Sequence, residues 1–377
     1  MTQILDNLRD DVLNASDTTY MTHNIHPYPA KFIPQIPAKI IEEYTEHGDV
    51  ILDPFCGSGT TLVEAQLHGC QSIGIDVNPI ACLASKMKTT VISSKSFEKI
   101  EILSKILRKK YDKKEHLSMD LHEFYNKNHW FSLNARREIA LILNEIKNIK
   151  NQALREFFTG VLSSIAVTVS NQDSDTRYAA VEKNHEKLYV IDLFIDKCWS
   201  SSERVLEFGK HVDPRTRSII HQADSRDLSI LDDDSVDLIV TSPPYPNVYD
   251  YYLYHKQRMN LLGMDSVYAK DREIGSRLRY SSLKWEIKTF YDDLESCFHE
   301  MNRILKPNGY AVIVMGDSIV SGKKFSGLDM VAGIGHVCGF SVVDHVAYDL
   351  DSISRVFGTG FRTKNKKEYV VTIQNGS

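Results

Sequence analysis

Residues 50–69 read VILDPFCGSGTTLVEAQLHG, and SIGIDVNP follows at residues 72–79. The first apolar run ends in Asp53 and Pro54, turns through Gly57, Ser58 and Gly59, and opens into a stretch of helical period that stops at Gly69. A second apolar run ends in Asp76. This is the pattern of strand, glycine turn, helix and strand, and it predicts an α/β unit whose turn meets a ligand at the carboxyl edge of a parallel sheet. The turn lacks the Gly-Lys-Ser/Thr of a phosphate-binding loop, and Gly57-x-Gly59 lacks the third glycine of the dinucleotide fingerprint. The expected guest is therefore nucleotide-like without a pyrophosphate. Asp76, 23 positions after Asp53, suits an acceptor for the two ribose hydroxyls of an adenosine moiety. The plainer reading makes Asp76 the N-cap of the helix after Pro79.

Outward from this unit, the α/β rhythm resumes at RSIIHQAD (217–224) and SVDLIVTS (235–242). It continues through a helix at ESCFHEMNRIL (295–305), stopped by Lys306 to Gly309, and a buried strand at YAVIVMGDS (310–318). A helix from Gly327 to Cys338 and strands at FSVVDHVAY (340–348) and EYVVTIQ (368–374) complete it. The middle is different in kind. It has long stretches of helical period, such as residues 135–169, with almost no strand signal, and a polar loop, SNQDSDTRY, follows at 170–178. The chain thus divides into 1–93, a helical insertion over 94–216, and 217–377. No repeats or low-complexity tracts occur.

The composition is that of an ordinary globular chain: 377 residues, 42% hydrophobic, 45 basic and 50 acidic residues, net charge −5. This excludes a strongly basic nucleic-acid coat and an acidic tail. Six cysteines without a CxxC pair give neither a zinc framework nor a disulfide pattern, so no metal is expected. No run approaches the ~18 apolar residues of a membrane helix, and the polar amino end is unlike a signal peptide, so a cytoplasmic protein is expected. A basic run at Lys105, Arg108, Lys109, Lys110, Lys113 and Lys114 reads as a solvated helix face or as a nucleic-acid contact.

At Thr241 to Tyr245 the chain reads TSPPY. Consecutive prolines cannot continue a ladder, so the chain leaves the sheet in a stiff conformation with outward carbonyls. Such carbonyls, beside a hydroxyl and an aromatic ring, can grip an amino group.

DPFCGSGTTLVEA, GIDVNP and TSPPY together resemble the S-adenosylmethionine-dependent DNA amino-methyltransferases, which modify cytosine N4 or adenine N6. The resemblance covers about residues 20–90 and 217–375 and implies a doubly wound, mostly parallel seven-stranded sheet. It implies that the methionine part of the cofactor is held by Asp53, Pro54, Phe55, Gly57, Ser58, Gly59 and Thr60, with Thr241 nearby. Asp76 would take the ribose and Asp224 the adenine amino group. HPYPAKFIP (26–34) resembles a cofactor-flanking segment and offers His26 and Lys31, or is a surface turn. Ser242, Pro243, Pro244 and Tyr245 would form the catalytic loop, Ser242 and the Pro243 carbonyl accepting from the target amino group and Tyr245 stacking on an extruded base.

Ser-Pro-Pro favours cytosine N4. Adenine N6, RNA guanine N2, protein glutamine and a non-catalytic DNA-binding relative remain alternatives, whereas a C5 route lacks its Pro-Cys nucleophile. Tyr249 lies in an aromatic and cationic stretch, and Arg272, Arg277 and Arg279 follow in DREIGSRLRYSSLKW (271–285), which resembles a segment of DNA-modification enzymes. DNA is the expected partner, and a cognate restriction nuclease is compatible with the resemblance. The insertion falls outside the family's usual recognition positions and is expected to contribute target recognition. Cations at 105–114, 272–284 and 362–367 predict a basic cleft on a mildly acidic body.

Overall fold

The computed structural model describes residues 17–31, 33–183, 189–349 and 366–376. After a helix α1 (Gln35–Tyr44), strand β1 (Val50–Asp53) leads through the glycine turn to α2 (Thr60–Leu67), β2 (Gln71–Asp76) and α3 (Pro79–Thr89). Seven residues of α2, Thr60 to Gln66, are buried, as befits a helix pressed between the sheet and other helices.

Four longer helices, among shorter helical turns, then occupy the middle of the chain: α4 (Ser96–Asp112), α5 (Leu133–Lys147), α6 (Gln152–Ser164) and α7 (Tyr189–His211). Between α6 and α7 the stretch expected as a polar loop folds instead into a short hairpin, β3 (Gln172–Ser174) and β4 (Arg177–Ala180). Then come β5 (Ser218–Gln222), β6 (Val236–Thr241), α8 (Tyr251–Leu262), two short helices at Ser266–Arg272 and Arg277–Ser281, and α9 (Ile287–Ile304). Phe290, Leu294, Cys297, Phe298, Met301 and Ile304 recur every three or four residues along α9 and form its buried face.

The chain closes with β7 (Leu305–Gly316), a small hairpin β8 (Ser318–Val320) and β9 (Lys323–Phe325), α10 (Gly327–Val337), β10 (Phe340–Asp349) and β11 (Lys367–Asn375). α9 ends at Ile304, ahead of Lys306 to Gly309 as expected, and those residues bulge within β7, where pairing shifts from Val236↔Leu305 to Leu238↔Tyr310. Asn308 takes the left-handed conformation the bulge requires, at φ 61°.

The seven-stranded sheet has the order β10-β11-β7-β6-β1-β2-β5. The pairs β5–β2, β2–β1, β1–β6 and β6–β7 are parallel, and β7–β11 and β11–β10 are antiparallel. Both faces are covered, so the central strands run almost wholly apolar; Ala311 to Gly316 of β7 are all buried. The chain builds outward from β1 to β2 and β5 in one direction and from β6 to β7 in the other. The crevice at this reversal, beyond the carboxyl ends of β1 and β6, is where a doubly wound sheet binds its ligand.

The helices of the middle stretch share one apolar cluster with Met87 of α3, Ile25 and Leu261 of α8. The run Lys105 to Lys110 belongs to this assembly: Lys105 pairs with Glu101 at 2.5 Å, Arg108 with Asp192 at 2.8 Å and Lys110 with Glu145 at 2.8 Å. These three cations are engaged within the helical layer. Of the third basic run, residues 362–365 lie outside the described residues.

The hairpin is tied to α8 by Arg258, which is fully buried. Its guanidinium donates to the Ser163 carbonyl at 3.1 Å and pairs with Asp175 of the hairpin turn. Gln257 adds a bond to the Tyr178 hydroxyl at 2.9 Å. Removing a buried cation while its partners stay costs several kcal/mol. Arg258→Ala is accordingly expected to lower stability by roughly 3 kcal/mol, read as a drop in the midpoint of urea unfolding, whereas Arg177→Ala on the exposed hairpin edge changes it by less than about 0.5 kcal/mol.

Candidate active site

The loop after β1 is shaped by its glycines. Gly57 and Gly59 sit at φ 49° and 79°, in the left-handed region that side chains resist. A Cβ on Gly59 would lie 2.9 Å from the Ser85 hydroxyl, so α3 can approach only because the side chain is missing. Ser85 donates to the Gly57 carbonyl at 2.9 Å, and the Gly57 N–H donates to Asp76 at 2.9 Å. The two motifs read from sequence are therefore physically one unit.

Asp76 also accepts the Asn78 N–H at 2.8 Å, while Asn78, rather than Asp76, caps α3 by accepting from Ile80 at 3.0 Å. Burial pushes the Asp76 carboxyl up to about 7, against the pull of the two N–H donors. Each of its oxygens accepts one bond and retains a lone pair for a further donor.

Asp53 faces inward. It is 1% exposed, accepts the Thr241 hydroxyl at 2.6 Å and the Phe55 N–H at 3.1 Å, and burial pushes its carboxyl up to about 6. Asp53 and Thr241 thus lie beneath the cleft floor. Ser58 and Thr60 are buried as well; Ser58 accepts from the ammonium position of Lys88 at 2.9 Å. Lys88 has no exposed surface, and burial drives its pKa well below the ordinary lysine value. Ser225 anchors the next loop by donating to the Pro54 carbonyl.

The cleft above this floor encloses about 720 Å³ of space open to solvent. Phe55, Gly57, Asp76 and Asp224 line it on the sheet side, and Ser242 and Pro244 line it on the side of the TSPPY loop. Tyr28, Tyr251, Arg272 and Glu273 complete the wall. Asp224 is held by the Arg226 guanidinium, at 3.0 and 2.7 Å, and Arg226 reaches on to Asp293 at 2.5 Å.

His26 and Lys31 lie elsewhere. His26 is fully buried, donates through Nδ1 to the Pro27 carbonyl at 2.9 Å and accepts from the Ser163 hydroxyl at 3.0 Å, so it fastens the amino-terminal segment to α6. Lys31 donates to the His23 carbonyl at 3.0 Å. Two residues of that segment do reach the cleft, Ala30 and the aromatic Tyr28, the latter stacked on His255 with ring centroids 4.5 Å apart. Its aromatic character was the one available signal.

The stretch after the TSPPY loop is divided between core and cleft. Tyr251 lines the cleft, Tyr249 packs on it at 5.4 Å, and His255, Gln257 and Arg258 are fully buried. Residues 273–278 act as a strap across 247–252. Glu273 accepts the N–H groups of Tyr251 and Tyr252 at 2.6 and 3.1 Å, the Gly275 carbonyl accepts from Asn247 at 2.9 Å, and Asp250 accepts from Ser276 and Leu278 at 2.6 and 2.9 Å. Of the arginines expected at phosphates, Arg272 lies at the cleft wall over the Tyr268 ring at 4.2 Å. Arg279 stacks on Trp285 at 4.6 Å and donates to the Asp271 carbonyl at 2.6 Å. The Arg277 N–H closes onto the Tyr249 carbonyl at 3.0 Å.

S-adenosylmethionine fits this donor and acceptor set. It brings ribose hydroxyls, an adenine amino group and an ammonium, all donors, and the wall offers the carboxylates of Asp76 and Asp224. A Cβ on Gly57 would make only an ordinary contact with the Tyr28 ring, so it is the left-handed φ of 49° that favours glycine there.

The N6/N4 DNA methylase family model matches residues 5–87 and 236–376, on either side of the helical middle. Among curated proteins, the type II methyltransferase M.MjaII of Methanocaldococcus jannaschii is 25% identical over 81% of this chain and 74% of its own length. The type II methyltransferase M.MvaI of Kocuria varians is 27% identical over 61% of this chain and 54% of its own. M.BsoBI of Geobacillus stearothermophilus, also a type II methyltransferase, is 25% identical over 76% and 62%. With both motif-bearing halves matched and a doubly wound sheet joining them at one cleft, the chain belongs to the S-adenosylmethionine-dependent N6/N4 DNA methylase family.

Proposed function

We propose that the chain methylates the exocyclic N4 of cytosine at a specific DNA sequence, by direct transfer to a base turned out of the duplex. The observation that carries this reading is the shared cleft: Gly57 and Asp76 of the cofactor motifs and Ser242 and Pro244 of the TSPPY loop line one cavity. The Ser-Pro-Pro sequence supports cytosine over adenine. The names of the type II relatives support sequence specificity and a partner nuclease. Among the described residues no helix is long and apolar enough to cross a membrane.

In this reading Asp76 accepts the ribose hydroxyls, Asp224 accepts the adenine amino group, and the glycine loop passes the methionine part. Bound S-adenosylmethionine supplies an electrophilic methyl group on a sulfonium. The chain's task is to prepare the nucleophile. An exocyclic amino nitrogen is weak because its lone pair is delocalised into the ring. Ser242 Oγ and the Pro243 carbonyl accept its two N–H bonds, which draws the nitrogen toward tetrahedral geometry and aims the lone pair at the methyl carbon. The stiff Pro243-Pro244 backbone fixes those acceptors in advance. Pro243 and Tyr245 do not themselves line the cleft, and in this reading the base stacks on the face of the Tyr245 ring turned away from Gly316.

Two outcomes are expected. Wild-type protein incubated with S-adenosylmethionine and a library of duplex DNA yields N4-methylcytosine by nucleoside mass spectrometry, and Ser242→Ala lowers kcat by about 100-fold while calorimetric affinity for the cofactor stays unchanged. N6-methyladenine as the product would replace the cytosine reading, and full activity of Ser242→Ala would remove Ser242 from the mechanism. The second concerns pH. Asp76 accepts ribose hydroxyls as a carboxylate, and its pKa is pushed up to about 7. Protonation below that value removes an acceptor, so cofactor affinity weakens on acidification from pH 8 to pH 6, by at most about tenfold per unit. Asp76→Asn binds more weakly throughout and loses this slope.

A further inference from the structure

The last strand reaches into the active-site loop. In β11, Glu368 stands directly across from Gly316 of β7. Gly316 has no side chain, and the Tyr245 ring takes that space: a Cβ there would lie 2.8 Å from Tyr245 Cε2. Cross-strand neighbours have side chains about 5 Å apart. The Glu368 carboxylate therefore extends past the bare glycine to the end of the ring, where it accepts the Tyr245 hydroxyl at 2.8 Å. On the backbone side, Gly275 at φ 73° packs so closely that a Cβ would meet the Tyr245 carbonyl oxygen at 3.1 Å. Tyr245 is thus held at its ring, its hydroxyl and its carbonyl. The Ser242 hydroxyl lies 3.4 Å from the Tyr245 hydroxyl, a spacing typical of active-site contacts that tighten when substrate binds.

The direction of these bonds follows from the chemistry of their ends. A carboxylate only accepts, so Tyr245 spends its single proton on Glu368. The phenol oxygen is then left with lone pairs and can only accept from Ser242. Ser242 in turn spends its proton on Tyr245 and is left with lone pairs toward the cleft. We propose that Glu368 is a positioning residue that sets the polarity of the chain Ser242–Tyr245–Glu368, so that Ser242 meets the substrate's amino group as an acceptor. This deepens the amino-methylation reading and rests on it. Glu368 itself touches neither cofactor nor base.

The test uses the full-length chain with S-adenosylmethionine and a substrate DNA. Glu368→Gln keeps the shape of the side chain but adds an amide donor, which permits the reverse polarity. Its kcat is expected to fall about tenfold, with KM for cofactor and for DNA within about twofold of wild type. Tyr245→Phe keeps the ring and deletes the hydroxyl, and is expected to fall by a similar factor. The double variant is expected to be no slower than Tyr245→Phe alone, because without the hydroxyl Glu368 has nothing to orient. An unchanged kcat in Glu368→Gln, a multiplicative loss in the double variant, or a loss confined to KM would each overturn the proposal. Methyl transfer to DNA by the wild type, measured alongside, tests the activity reading separately.

Discussion

A buried hydrogen bond joins the two loops of the candidate site. Asp53 closes β1 and Thr241 closes β6, and these strands are parallel neighbours in the sheet, with Leu52 opposite Ile239. Neighbouring strands lie about 4.8 Å apart, so the loops that leave them start side by side. The Thr241 hydroxyl and the Phe55 N–H both point at Asp53, which would otherwise be a desolvated acid costing several kcal/mol. Satisfying that acid fixes where Phe55 leaves β1 and where Ser242 leaves β6. In the proposed reading, the distance between a cofactor on the first loop and an amino group on the second is therefore set by the pitch of the sheet.

The opposite wall has no sheet beneath it and is held differently. Glu273 caps the first turn of α8 from a distance, taking the free N–H groups of Tyr251 and Tyr252. A helix start normally finds such acceptors on its own N-cap residue. Asp250, which holds that position, turns its carboxylate to Ser276 and Leu278 instead. The exchange locks residues 273–278 to residues 250–252, just after the TSPPY loop. Burial pushes Glu273 up to about 8, although both of its backbone donors pull the other way.

What could be read from sequence was whatever is local. The strand-turn-helix of residues 50–69 and the register of Asp76 depend on neighbours in the chain, and glycine at 57 and 59 announces the left-handed turns. Direction was harder: Asp53 and Asp76 look alike in sequence, yet one turns down to Thr241 and the other faces the cleft. His26 is polar and near a motif, but its partner Ser163 lies 137 positions away, and only the fold brings them together. Tyr28, Glu273 and Glu368 belong to the same class, since each acts through a residue remote in sequence. The hairpin at 172–180 carries only short polar runs, too brief to show a period. The basic run at 105–110 reads from sequence as a solvated face or a nucleic-acid contact, because the partners of Arg108 and Lys110, Asp192 and Glu145, sit on other helices.

Around the cleft the cations differ in how far they are engaged within the protein. Arg272 stands at the cleft wall on Tyr268, whereas Arg226, Arg258 and Arg279 are occupied by Asp224 and Asp293, by Asp175, and by the Asp271 carbonyl. The helical middle meets this neighbourhood through α8. That helix lines the cleft with Tyr251 and Tyr252 in its first turn and grips the hairpin with Gln257 and Arg258 about two turns later. An α-helix transmits displacement as a nearly rigid rod. The hairpin is fastened to the cleft-lining helix at more than one point, by the buried Arg258–Asp175 pair and by the Gln257–Tyr178 bond.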